Sequence, residues 1–365
     1  MSKIVIDARE SGTSTGRYVD KLVEYLYKLK PSEDVIVLTK APRLDFFKAT
    51  APGFTTIETP YKEFTFGEQI GLLRQLNSLE ADLVHFSMVQ QPILYQGTAI
   101  TTMHDLTTAR FKNPAKNTAV FTVKQQVYKF VNWLVPRTSK KVIVPSNYVK
   151  QDVAKFAHVN PNKIVVTYES ADAIKEPAEP IQSLDGAEFI MYLGRPTPHK
   201  NLWRLIEAFK DLKATHPKLQ LVLAGKKDIL YEQIEARVRQ AGIKDVIFTG
   251  FMSEGQLRWL YEHCGAYVFP SLSEGFGLPG LEAMRHSAPV VSSNATCLPE
   301  IYGDAAHYFD PLDTRSITDA INEVLTDKDL RTTLIEKGKK QSAKYSWQRM
   351  AEQTLEVYRT VLSKK

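Results

Sequence analysis

Two glutamates, Glu274 and Glu282, frame the run Glu-Gly-Phe-Gly-Leu-Pro-Gly-Leu-Glu at 274–282. An apolar strand-like segment, 266–269, runs into this turn, and helix-compatible sequence follows, with Pro279 at its opening. Glycines let backbone N–H groups close on a ligand, and a helix N-terminus favours an anion. The residue types suit a phosphate-bearing ligand with hydroxyls on either side. A second cationic loop, Gly-Arg-Pro-Thr-Pro-His-Lys-Asn at 194–201, follows another predicted strand. Arg195 offers a planar fork and Lys200 a point charge, a pair able to neutralise a diphosphate without a metal. His104 and Asp105 directly follow the strand-like segment 99–103. A histidine at a strand end can hydrogen-bond a substrate hydroxyl or meet a developing charge, while the acid beside it orients it or caps the next turn. Gly12 and Gly16 follow the first predicted strand and open a helix, a place for a phosphate- or sugar-facing loop. A full G-x-G-x-x-G is missing and no acid ends the second strand, which argues against a nicotinamide dinucleotide. Beside each chemical role stands a plain structural one: a flexible turn at Gly12 and Gly16, a solvated pair at His104, surface charge at Arg195 and Lys200. His85 and His286 lack a comparable setting and read as structural or surface groups.

These residues need elements to hold them, and the chain supplies a repeating grammar. Short apolar segments at 4–6, 35–38, 55–57, 83–86, 99–103, 142–144 and 164–167 alternate with periodic helical stretches such as 18–29 and 67–79. That alternation predicts a mostly parallel, doubly wound sheet. A polar stretch with two prolines, 175–186, reads as a linker. The grammar then restarts, with strands predicted at 189–193, 219–223, 246–249, 266–269, 290–292 and 307–309, and a last helix at 347–362. Two α/β domains joined by a hinge leave a cleft facing the carboxyl ends of both sets of strands, where such sheets bind ligands.

At 365 residues the chain is a natural size for two domains. No apolar run approaches a membrane span, and Asp7, Arg9 and Glu10 argue against a signal peptide, so a cytoplasmic location is expected. Cys264 and Cys297 give neither a disulfide framework nor metal-ligand spacing. The Asp-Lys-Asp at 327–329 precedes a helix and reads as its cap, so no metal site is expected. Charge is uneven. From Arg110 to Lys163 eleven basic residues face a single acid, Asp152, a local net charge of +10 in a chain whose total is +6. The segment 120–135 carries an apolar stripe, Val120, Val123, Val127, Phe130, Val131 and Leu134, with Lys124 and Lys129 beside it. It suits an anionic membrane surface, or a core-facing helix with a solvated basic side. No nucleic-acid motif accompanies the charge, so nucleic acid is not an expected partner.

Taken in order, the motifs are specific. The Glu-x7-Glu at 274–282, with Gly-Arg-x-x-x-His-Lys-Asn before it and Ser292-Ser293-Asn294 and Leu298-Pro299-Glu300 after it, resembles the family 4 retaining glycosyltransferases. Gly16-Arg17-Tyr18, His104-Asp105-Leu106-Thr107 and Pro145-Ser146-Asn147-Tyr148-Val149 extend the resemblance over nearly the whole chain. It implies the GT-B architecture, two Rossmann-like domains facing across a cleft. Residues 1–175 would form the acceptor domain, 176–186 the linker and 187–345 the donor domain, with 346–365 returning to the first domain. The resemblance also implies a nucleotide-diphospho-sugar donor and no metal or other cofactor. Arg195 and Lys200 would hold the diphosphate, Glu282 the ribose and Glu274 the donor sugar. Gly275, Phe276, Gly277 and Leu278 would meet sugar and phosphate through their amides. The base would lie near Phe251 and Met252, and His104 would touch the sugar from the other domain. Retention is expected by front-face attack, the leaving phosphate taking the acceptor's proton. The expected activity is transfer of a hexosyl unit, mannosyl or glucosyl, to a glycan or lipid-linked acceptor in bacterial surface polysaccharide or glycolipid synthesis, with the basic tract against the inner membrane face. The rival readings are a non-hydrolysing sugar-nucleotide epimerase and a non-catalytic sugar-nucleotide-binding protein. One loop departs from the family pattern: Tyr168-Glu169-Ser170-Ala171-Asp172 stands where many relatives carry Asn-Gly-Val-Asp.

Overall fold

Thirteen strands form two wholly parallel sheets in the computed structural model, which describes residues 1–13, 15–111 and 118–363. Lys112 and Lys116 of the basic tract therefore lie outside the described residues, as do the side chains of Val120 and Val123. The first sheet contains β1 (Lys3–Asp7), β2 (Asp34–Thr39), β3 (Thr55–Glu58), β4 (Leu83–Phe86), β5 (Ala99–Thr102), β6 (Lys141–Val144) and β7 (Ile164–Val166), in the order β3-β2-β1-β4-β5-β6-β7. The second contains β8 (Phe189–Leu193), β9 (Gln220–Ala224), β10 (Val246–Gly250), β11 (Ala266–Phe269), β12 (Val290–Ser293) and β13 (Ala306–Phe309), in the order β10-β9-β8-β11-β12-β13. Helices cover both faces of a parallel sheet, which is why most of its strands, the central ones above all, are rich in apolar residues. Ile4, Val5 and Ile6 are fully buried in one sheet, and Val290 and Val291 in the other.

The chain divides into two compact units. One comprises 1–109, 122–169 and 346–365, the other 110–121 and 170–345. The crossing thus falls after Glu169. The stretch 176–186 lies along the second unit, where the Glu179 N–H bonds the Gly255 carbonyl and the Ser253 hydroxyl bonds the Glu179 carboxylate. In the first unit the helix Arg17–Lys28 buries Tyr18, Val19, Leu22, Val23 and Leu26, a single stripe at helical spacing. Each such aliphatic side chain contributes about 1.5–3 kcal/mol by burial. The terminal helix Trp347–Leu362 packs against this helix and buries Trp347, Met350, Thr354 and Tyr358, among others.

Two elements differ from the sequence expectation. The helix expected over 67–79 begins with a wide π-type turn, Gly67–Leu72, before the α-helix Leu73–Ser78. Its Glu68 is buried to meet Arg9, whose guanidinium also forks onto Asp7, at 2.9 and 2.8 Å respectively. The apolar stripe of the helix Thr118–Thr138 is divided. Val131 and Val135 enter the core, whereas Val127 and Phe130 stay about half exposed and line a groove with Phe64 and Phe66.

Candidate functional site

The order of the second sheet reverses between β8 and β11, and the two cationic and acidic loops leave the carboxyl ends of those strands. A parallel sheet opens a crevice at such a switch point. Asn201 stitches the loops together from a left-handed conformation, φ 56°, that asparagine tolerates better than most residues. Its amide donates to the Pro270 carbonyl at 3.1 Å and the Pro311 carbonyl at 2.7 Å. The Leu272 N–H donates to the His199 carbonyl at 2.7 Å. The consequence is that Lys200 Nζ meets Glu274 Oε1 at 2.5 Å, with both side chains largely shielded from solvent. Arg195 points elsewhere. It is 57% exposed and donates to Asp228, which also caps the helix Ile229–Gln240 by accepting from the Leu230 and Tyr231 N–H groups. Burial opposes ionisation of Asp228, but Arg195 and those N–H groups outweigh it and hold its pKa below the usual carboxylate range.

The glycine turn is built from below. Gly277 has φ +92° and caps the helix Leu278–Arg285, and its carbonyl accepts from the Tyr302 hydroxyl at 2.6 Å. A Cβ at Gly277 or Gly280 would fall 2.5 or 2.3 Å from that hydroxyl, so the tyrosine fits only under glycines. The Glu274 N–H donates to Thr296 Oγ1, and Phe276 is buried edge-on to Tyr345. Glu282 sits one turn inside the helix, 8% exposed, with the Tyr261 hydroxyl 3.5 Å from its carboxylate. Phe251 and Met252 follow β10. Phe251 is 86% exposed, an aromatic face open to a planar ring. Together these groups offer cations, turn amides and a helix N-terminus to an anion, with carboxylates for hydroxyls.

In the first unit His104 lies just beyond β5, its ring edge-on to Tyr18 at 4.9 Å between centroids. Nδ1 is 3.1 Å from Glu169 Oε1 and Nε2 is 3.2 Å from the Ser87 carbonyl. Both partners accept, so both bonds are made together only by the doubly protonated ring. Burial pulls the His104 pKa down, but Glu169, Asp105 and the Ser87 carbonyl outweigh it and the net direction is up. Asp105 itself accepts from the Thr107 N–H at 2.7 Å, so it caps the next turn. Gly12 and Gly16 also belong to this unit. Gly12 has φ +79°, and a Cβ at Gly16 would fall 1.8 Å from the Glu10 carbonyl oxygen. Polar groups around them are already engaged: Arg43 donates to Ser11 and Asp20.

Sequence reasoning missed Asp228, Glu169 and Tyr302. For Asp228 a signal was present, an aspartate just before a helical run; Glu169 lay in the loop that departs from the family pattern. His286, read as structural or surface, is structural: its Nε2 accepts from the Ile174 N–H at 3.0 Å and its ring stacks on Tyr261. Asp327 caps the helix Lys328–Ala343 through the Asp329 and Leu330 N–H groups.

A family model described as glycosyl transferases group 1 matches residues 174–341, and one described as glycosyltransferase family 4 matches residues 15–173. The O-antigen chain mannosyltransferase B of Escherichia coli is 27% identical over 274 residues, covering 72% of this chain and 70% of that protein. The serotype-specific mannosyltransferase WbdA of Escherichia coli is 36% identical over 232 residues, 60% of this chain, and the match spans 28% of WbdA's length. Among solved structures, a sucrose-phosphate synthase from Thermosynechococcus elongatus superimposes with a TM-score of 0.79 over all of both chains at 18% identity. That likeness concerns the fold.

Proposed function

The chain belongs to the group 1 glycosyltransferases, and from that premise we propose that it moves a hexosyl unit, mannosyl or glucosyl, from a nucleotide-diphospho-sugar to a glycan or lipid-linked acceptor, with retention. The setting is synthesis of bacterial surface polysaccharide or glycolipid. The similarity to mannosyltransferases, one of them an O-antigen chain enzyme, supports the mannosyl type and that setting.

One observation carries the reading: the Lys200–Glu274 pair beside the Gly275–Gly277 turn. The two charges neutralise each other. A diphosphate arriving at the turn amides and the helix N-terminus would draw Lys200 to itself and release Glu274 to accept from sugar hydroxyls. As the anomeric C–O bond to phosphate breaks, the acceptor oxygen bonds the anomeric carbon and its proton passes to the leaving phosphate. The turn amides then face the growing negative charge already in place, and Lys200 and Arg195 join them by leaving Glu274 and Asp228. In this reading no metal takes part, Glu282 takes the ribose, Phe251 and Met252 the base, and His104 is the sugar-contacting group of the N-terminal unit. The protein works in the cytoplasm, against the anionic inner membrane face through its basic tract. Support for the last point comes from Lys124 and Lys129, which flank half-exposed Val127 and Phe130 beside a groove of about 640 Å³ that includes exposed Phe66.

Donor turnover across a panel of nucleotide-sugars, with thermal-shift measurement of nucleotide binding, tests the proposal. Glu274→Ala, Lys200→Ala and Arg195→Ala are each expected to lower kcat/KM about 100-fold, the scale of losing one preorganised charge or hydrogen bond. A wild-type protein that binds no nucleotide and turns over no donor would sink it.

A further inference from the structure

His85 is the penultimate residue of β4 and is fully buried. Its Nδ1 is 2.6 Å from the Tyr358 hydroxyl of the terminal helix, and its Nε2 is 2.8 Å from Thr102 Oγ1 on β5. Thr102 Oγ1 is 3.0 Å from the Tyr18 hydroxyl, and the Thr354 side chain of the terminal helix lies nearby. Thr354 in turn donates to the Met350 carbonyl at 2.8 Å.

One direction of donation runs from Tyr358 to Tyr18. Burial pulls the His85 imidazole down to about 3, with the nearby His104 acting the same way, so His85 is neutral and has one donor and one acceptor nitrogen. Tyr358 has His85 as its one hydrogen-bond partner among the described residues, so its proton goes to Nδ1. Nε2–H then donates to Thr102, and Thr102 to Tyr18. Burial pushes both phenols above their usual range, so both keep their protons. A core made only for stability would place apolar side chains here, since buried polar groups are tolerable only when each is bonded. The ring at the end of this chain, Tyr18, is the one packed edge-on against His104.

We propose that His85 and Tyr358 are positioning residues for His104: the terminal helix, through His85, Thr102 and Tyr18, fixes the ring that holds the His104 imidazole toward Glu169. The proposal rests on the reading of His104 as the sugar-contacting group. The titratable and charged groups facing His104 are Glu169 and Asp105, which favour its protonation, with neutral His85 nearby and the buried Tyr18 phenol packed edge-on against it. If Tyr18 drifts, the imidazole turns away from Glu169 while remaining buried, and its titration moves to lower pH.

The test follows the histidine ring resonances of isotopically labelled full-length protein against pH, together with donor kinetics. Tyr358→Phe and Thr102→Val should each lower the pH at which His104 titrates and reduce kcat about five- to tenfold, with donor KM little changed. The double variant should lose no more than either single one, because both cut the same chain. Thr102→Ser, which keeps the hydroxyl, should retain the wild-type His104 titration. Thr102→Val lies on a different element from Tyr358 and carries the test if Tyr358→Phe does not fold. Folded variants whose His104 titrates as in wild type would overturn the coupling, whatever their kcat. If the wild type turns over no donor, the functional reading fails, while the titration still decides whether the terminal helix positions His104.

Discussion

Both ring nitrogens of His104 face acceptors, and that has a consequence for stability against pH. The Glu169 contact raises the His104 pKa above its ordinary 6.5 in spite of burial. A group whose folded value is raised contributes its stabilisation fully below the unfolded value and loses it as pH climbs through the folded one. Glu169→Gln removes the charge that sustains the imidazolium, leaving burial to pull the other way. The difference in thermal midpoint between wild type and Glu169→Gln should therefore be largest near pH 5 and shrink toward about pH 8. A difference that stays flat across that range would show that His104 and Glu169 are not an ion pair. The same comparison separates two roles for Asp105. Its carboxylate is occupied by the Thr107 N–H, so Asp105→Asn, which keeps an accepting oxygen, should leave the cap in place.

Helix and turn geometry decide what Gly16 is for. It precedes the helix Arg17–Lys28, and its missing Cβ would lie 1.8 Å from the Glu10 carbonyl oxygen and 2.9 Å from the Ser11 Cα. Backbone atoms give little, so Gly16→Ala should lower the thermal midpoint by about 3–10 °C even without ligand, from overpacking of about 1–3 kcal/mol. An unchanged midpoint with weaker donor binding would instead make Gly16 a ligand-contacting residue alone. The wider pattern at this scale concerns what local sequence encodes. Strands buried on both faces announce themselves as apolar runs, and β4 matches its predicted span, Leu83–Phe86. Strand ends are fixed by the same runs, so the position of Arg195, Lys200, His104 and the Gly275–Gly277 turn at carboxyl ends is legible in the sequence. Pairings between distant segments had no local signature. Glu68 is drawn into a wide helical turn by Arg9, far away in sequence, and Glu169 finds His104 only once the segments after β5 and β7, two strands apart in the sheet, converge. The stripe of the helix Thr118–Thr138 failed as a guide for a related reason: periodicity cannot tell a core face from a groove wall, and Val127 and Phe130 line a groove.

At the scale of the whole molecule, the N-terminal unit is assembled from three lengths of chain, the last being the terminal helix, which also ties to Glu33 through Arg359. The basic tract is carried largely by this unit, and the fold splits it. Lys124 and Lys129 stand with Val127 and Phe130 on one stretch of helix. Arg137, Lys140 and Lys163 gather at its far end, where the Lys163 ammonium donates to the Arg137 carbonyl. Burial and, after it, the charge of Lys140 lower the Lys163 pKa. The first group stands beside the groove with exposed Val127 and Phe130, the pairing that anchors a protein at an anionic bilayer, whereas the Arg137 guanidinium of the second covers the Trp133 ring at 3.6 Å. Each basic residue near such a surface is worth about 1 kcal/mol, so Lys124→Ala with Lys129→Ala should weaken binding to anionic vesicles about thirtyfold at low salt. Lys140→Ala with Lys155→Ala, equal in charge lost, should weaken it far less, and Phe130→Ser should weaken it without altering its salt dependence. Raising ionic strength shortens the screening length from about 30 Å at 0.01 M to about 8 Å at 0.15 M and should release the wild type progressively. Co-sedimentation equal for neutral and anionic vesicles at low salt would sink the membrane reading, and equal losses in the two double variants would return the effect to net charge alone.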